Sequence, residues 1–190
     1  MFYKHTLKYG KYRMTTYWTT PTNINQYAEA GAEEAHIGWN IISNRNPILT
    51  IKPLLHIARQ PKNDITMKTY FLSFTGYNFE NLPETITGIN CRVNMNRHGR
   101  IADETIQLTY QGNLIGSNQC MPAFDPHNHA STLSPITVYG GDISNWEVKD
   151  GIGLSTITDT SFGIVLRFRS HPAWPHTTTP QINAVEIQIY

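Results

Sequence analysis

Apolar and polar positions alternate with a period of two through the stretch Thr85–Gln111. Ile89, Cys91, Val93 and Met95 fall on one side and Asn90, Arg92, Asn94 and Asn96 on the other. The pattern resumes with Ile106, Leu108 and Tyr110 against Thr105, Gln107, Thr109 and Gln111. Side chains on an extended backbone point to opposite faces in turn, so each run predicts a half-buried strand. The Asn96–Asp103 connection contains Gly99 and predicts an antiparallel hairpin whose two strands share one apolar face. Two later runs are as regular. Phe162, Ile164, Leu166 and Phe168 alternate with Gly163, Val165, Arg167 and Arg169, and Val185, Ile187 and Ile189 alternate with Ala184, Glu186, Gln188 and Tyr190. The core is therefore expected to contain Ile89, Val93, Leu108, Phe162, Leu166 and Ile187.

The remaining segments are shorter or broken. Asn25–Ala35 holds good helix formers, but Gly31 interrupts it and no apolar stripe runs through it, so it reads as a short helix or a loop. From His36 the chain is apolar and β-like, punctuated by Pro47, Pro53 and Pro61. A proline cannot donate to a sheet ladder, which predicts an edge strand or two short strands there. Ile65–Phe74 reads as a stronger strand, Gln111-Gly112-Asn113 as a turn, and Leu114-Ile115 as the start of a short strand. The stretch 121–135 has three prolines and no period and reads as a long loop. Residues 136–146 read as turn-rich, and the proline-rich stretch 171–180 as a surface connection. About eight strands, at most one short helix and no crossover spacing predict a single all-β, antiparallel β-sandwich of jelly-roll or Ig-like type.

Composition narrows the function classes. A chain of 190 residues suits one domain of this kind. We divide it into a basic, aromatic arm at 1–20 and a sandwich domain at 21–190. A net charge of +1 creates no field that would gather nucleic acid or an anionic membrane, so neither is an expected partner. With no apolar run long enough for a membrane span and no signal-peptide core at the N-terminus, the expectation is a soluble protein made in the cytosol. In that reducing compartment Cys91 and Cys120 are expected as thiols, with a Cys91–Cys120 disulfide as the alternative.

Candidate chemistry is sparse. Asp125, His127 and His129 share one side of an extended backbone, and His171 and His176 could complete a divalent-metal site if the two loops met. Histidines in loops are more often solvated, and no metal or other cofactor is expected. No nucleophile elbow or phosphate loop is present, and neither cysteine has neighbours that would depress its pKa. Asp103, Glu104, Asp142, Glu147, Asp150, Asp159 and Glu186 all read as turn or outward-face residues. Arg92, Arg167 and Arg169 occupy outward strand positions that would suit either a partner or a solvated face. The chain therefore reads as a non-enzyme. In the N-terminal arm Tyr3, Lys4, Lys8, Tyr9, Lys11, Tyr12 and Arg13 combine aromatic anchors with a basic rim, which reads either as an edge strand or arm packed on its own domain or as an arm docked on a neighbouring subunit.

Several segments, in order, resemble a β-sandwich module found in virion structural proteins of tailed bacteriophages and in some bacterial surface proteins. They are Ile86-Thr87-Gly88-Ile89, the run from Glu104 to Ser117, Tyr139-Gly140-Gly141 followed by Trp146, Asp159–Ile164 and the closing Ala184–Tyr190. Trp18–Pro21 and Leu72-Ser73-Phe74 match more loosely. The resemblance implies a structural building block of the tail, neck, baseplate or head decoration, located in the virion and made in the host cytoplasm. Its partners would be copies of itself and other virion proteins. It also implies structural roles for Ile86, Tyr139, Trp146 and Phe162, and no catalytic residues. The chain departs from the pattern in its basic aromatic arm and its histidine-bearing loop, so Tyr3–Arg13, His127, His129 and Trp174 are the expected attachment residues. The alternative reading is a carbohydrate-binding sandwich with a host glycan as partner, stacking sugars on Trp146, Trp174, Tyr77 or Tyr139.

Overall fold

The computed structural model describes residues 16–27, 36–37, 39–41, 49–51, 68–96, 101–121, 134–149, 151–170 and 181–190. Those residues form two facing β-sheets. The strands are β1 (Asn23–Tyr27), β2 (His36–Ile37), β3 (Trp39–Ile41), β4 (Leu49–Ile51), β5 (Lys68–Thr69), β6 (Phe71–Thr75), β7 (Gly88–Asn96), β8 (Ile101–Tyr110), β9 (Asn113–Ile115), β10 (Ile136–Asp142), β11 (Gly163–Ser170) and β12 (Gln181–Ile189). A 3-10 turn at Ile143–Trp146 and one helical turn, α1 (Leu154–Ile157), are the helical elements among the described residues. The architecture is an all-β sandwich. All strand pairs are antiparallel except the two-residue parallel contact of β2 with β5.

Sheet membership corrects the expected hairpin. β7 pairs with β10 on one side and β12 on the other, whereas β8 pairs with β11 and β9 in the opposite sheet. The chain therefore passes from one sheet to the other between Asn96 and Ile101, and the apolar sides of β7 and β8 face each other across the interior. The face assignments of β7 and of the part of β8 from Thr105 to Tyr110 survive, because period-two alternation fixes which side a residue occupies and not which strand it pairs with. The hairpin that does form joins β8 to β9 through Gln111-Gly112. Both of those residues lie at positive φ, as a two-residue turn that matches strand twist requires.

The interior is filled by Ile89, Cys91, Val93 and Met95 from β7, Ile106 and Leu108 from β8, Ile164, Leu166 and Phe168 from β11, and Val185, Ile187 and Ile189 from β12. Leu72, Phe74, Tyr139, Trp146 and Phe162 complete it. Dense packing of such side chains is the main force holding two sheets together. Gly163 is needed where β11 lies against β6, since a Cβ there would run into the Phe74 carbonyl.

Three further expectations change. Asn25–Tyr27 belongs to strand β1 and not to a helix; Tyr27 stacks on Phe71, its register partner, with ring centroids 5.3 Å apart. The turn-rich reading of 136–146 gives way to a seven-residue strand, because Gly140 and Gly141, both at positive φ, bend the strand's end without preventing its pairing with β7. Thr16 and Thr19, assigned to the arm, belong to the sandwich: the Thr16 amide donates to Ile189 O and Thr19 pairs with Ile187.

Candidate functional site

The expected attachment residues Tyr3, Lys4, Lys8, Tyr9, Lys11, Tyr12, Arg13, His127, His129 and Trp174 lie outside the described residues. So do Asp125, His171 and His176, the rest of the candidate metal site. Among the described residues no cluster of three or more His, Cys, Asp or Glu side chains is placed to hold a metal ion. Both cysteines are free thiols, Cys91 buried and Cys120 exposed. Burial pushes the Cys91 thiol far up and raises Cys120 as well, aided by the nearby carboxylates of Asp103 and Glu104. Neither has the depressed pKa of a nucleophile.

Residues read as outward-facing turn out to hold the fold together. Asp103 is 3% exposed and accepts a 2.6 Å hydrogen bond from the Tyr139 hydroxyl, across the sandwich. The cause is a register shift between Arg167 and Phe168, which sets Thr105 opposite Arg167 but Asp103 opposite Phe168 and so turns Asp103 inward. Arg167 is buried at 4% exposure; its guanidinium lies 4.5 Å from the Phe71 ring centroid, and its Nε donates to Thr69 O. It cannot line a partner-facing surface. Arg92 is held by Glu186, its register partner on β12, through contacts of 2.7 Å from both Nε and Nη2. Glu104 pairs with Lys68 at 3.2 Å and lies 3.8 Å from Arg169. Asp142 caps the 3-10 turn, and Asp159 accepts from the Ser161 amide and hydroxyl, which lowers its pKa.

The expected sugar-stacking aromatics are also taken up. Tyr77, Tyr139 and Trp146 are buried in the core, and the Trp146 indole donates to Ile89 O at 2.9 Å. None of the three can meet a ligand.

Two surface features remain open. The first is a groove of about 230 Å³ lined by Tyr17, Trp18, Thr19, Thr20, Asn78 and Glu80. One wall is anchored by the Thr19 amide donating to Ile187 O and by Arg92, whose guanidinium sits 4.3 Å from the Trp18 ring centroid. The Thr22 hydroxyl donates to Gly76 O and ties this wall to the loop after β6. In that loop Tyr77 and Phe79 stack at 5.7 Å, and Phe79 packs on Phe162. Asn78 and Glu80, which alternate with these rings along the chain, are exposed.

The second is the edge of β10. Among the described residues this strand pairs only with β7, and its Ile136 and Val138 are 54% and 45% exposed. An unpaired strand edge with apolar side chains is a template for another strand.

Sequence reasoning missed the groove because its two walls lie far apart in the chain and share no motif. The edge could have been found: in Ile136-Thr137-Val138-Tyr139 the Tyr139 side goes inward, which leaves Ile136 and Val138 facing out. No protein-family model, curated protein or solved structure matches the chain.

Proposed function

We propose that this chain is a non-enzymatic structural protein of a tailed-bacteriophage virion, assembling in several copies in the tail, neck, baseplate or head decoration. The observation that carries the reading is the placement of its four motif positions. Ile86, Tyr139, Trp146 and Phe162 are all buried, joined to the fold by core packing, by the Tyr139–Asp103 bond and by the Trp146–Ile89 bond. That is the structural work the resemblance implies for them.

The ionic groups give the same support. Asp103, Arg92, Glu186 and Arg167 are engaged in contacts that fix strand positions, and the exposed apolar side chains of β10 suit a molecule that works by contact. The neighbour that fits β10 is another copy of this chain: Ile136, Thr137 and Val138 are uncharged, so an antiparallel pairing of two such edges brings no like charges together. The test is mass spectrometry of purified phage particles together with light scattering of the purified chain. A fixed multi-copy stoichiometry in particles is expected, and a Val138→Lys chain should melt like the wild type but lose self-association. Absence of the chain from particles would overturn the reading.

A further inference from the structure

Beyond assembly, the groove between Thr16–Thr22 and the loop after β6 has the chemistry of a ligand site. Tyr17 is 83% exposed, the most exposed large hydrophobic side chain among the described residues, and its ring has no aromatic or cationic partner there. Asn78 and Glu80 form no side-chain hydrogen bond or ion pair among the described residues, whereas Arg92, Asp103, Glu104 and Glu186 are engaged. Open polar groups beside a bare aromatic ring on a wall pinned at Thr19 and Thr22 make a prearranged surface, apolar on one side and hydrogen-bonding on the other.

We infer that this groove binds one neutral pyranose ring, with Tyr17 as its stacking platform. A sugar ring has an apolar C–H face that stacks on an aromatic ring and a rim of hydroxyls, each both donor and acceptor. The Asn78 amide supplies a donor and an acceptor, the Thr20 hydroxyl supplies either, and Glu80 accepts. A cationic ligand would use acceptors alone, and Arg92 already places a cation on Trp18. An acidic sugar would meet the Glu80 carboxylate. At about 230 Å³ the groove is smaller than the roughly 300–1,000 Å³ of sites that enclose drug-sized ligands, which suits a single ring of a longer glycan.

The experiment is saturation-transfer NMR on the full chain with the methyl glycosides of glucose, galactose, N-acetylglucosamine, N-acetylgalactosamine and sialic acid. Transfer to the ring protons of at least one neutral glycoside is expected, with none to sialic acid. Tyr17→Ala and Asn78→Ala should each weaken it at least about tenfold, in line with loss of a stacking or hydrogen-bonding anchor. Both side chains are exposed, so thermal melting should match the wild type; Glu80→Gln provides a third variant with unchanged shape. Absence of transfer to every neutral glycoside, or transfer that survives Tyr17→Ala, would overturn the inference. Particle incorporation is read separately, so this outcome and the outcome for the assembly reading are independent.

Discussion

The Tyr139 hydroxyl donates to the Asp103 carboxylate at 2.6 Å, joining β10 of one sheet to β8 of the other through the interior. A short bond to a charged acceptor in low dielectric is stronger than a neutral one. Tyr139→Phe removes the donor, keeps the ring and leaves the buried carboxylate short of one partner. Its expected cost is about 1–3 kcal/mol in urea unfolding, with the slope of the transition unchanged.

Neighbouring residues on β7 should respond in opposite ways to the same side chain. Val93 is fully buried, so Val93→Asp places an unpaired charge in the core and should cost more than about 4 kcal/mol, enough to abolish the folded circular-dichroism signal. Asn94 points outward, and its Oδ1 accepts from the Asn183 amide. Asn94→Asp keeps an acceptor there and should change stability by less than about 0.5 kcal/mol. Tolerance of Val93→Asp would overturn the placement of that side of β7 in the core.

Gly140 holds φ at +93°, and a Cβ on it would strike the Ile89 carbonyl and approach the Trp146 ring to 2.6 Å. Gly140→Ala therefore combines backbone strain with a steric conflict at the packed indole. The expected loss is about 2 kcal/mol or more, read as a lowered melting temperature together with a shifted tryptophan emission. Gly112→Ala, with open space around its Cβ, should cost only the strain of its positive φ, about 1 kcal/mol.

Thiol chemistry should separate the two cysteines. Cys120 should react with a thiol reagent in the folded protein, slowly near neutrality because its pKa is raised, and Cys91 only after unfolding. Burial raises the Cys91 thiol and the Tyr77 phenol in the folded state. Each therefore contributes stability that is complete below the ordinary thiol or phenol pKa and declines as pH rises above it, because the unfolded chain ionises first. Melting temperature should fall from about pH 8.5 upward, the ordinary thiol value, and less steeply in Cys91→Ala. The Tyr77 hydroxyl is buried without a hydrogen-bond partner among the described residues, so Tyr77→Phe should hold or raise stability at neutral pH while removing the second alkaline component.

The strand faces were legible in the sequence because alternation is a local property. Ile89, Val93, Leu108, Phe162, Leu166 and Ile187 all lie in the core. Pairing was not legible, since nothing in the alternation of β7 or β8 specifies a partner strand. Asp103 was misread because one register shift reverses the faces on either side of it. Tyr77, Tyr139 and Trp146 looked like loop aromatics because glycines and polar residues flank them. Those neighbours serve the turns, and the rings fill the interior. The groove needed Thr19 and Thr22 to bring Tyr17 beside Asn78, a long-range contact that no short segment encodes.

The placement of β7 between β10 and β12 bears on how the protein is made. Arg92 on β7 meets Glu186 on β12 across 94 residues, so β7 leaves the ribosome well before its inner neighbour exists. At roughly 5–20 residues per second, β7 and its row Ile89, Cys91, Val93 and Met95 wait roughly 5–20 s with one flank open to water and to other nascent chains. The β12 flank of β7 is thus open to edge-to-edge aggregation only during synthesis, until β12 docks, whereas the β10 edge stays open in the folded chain.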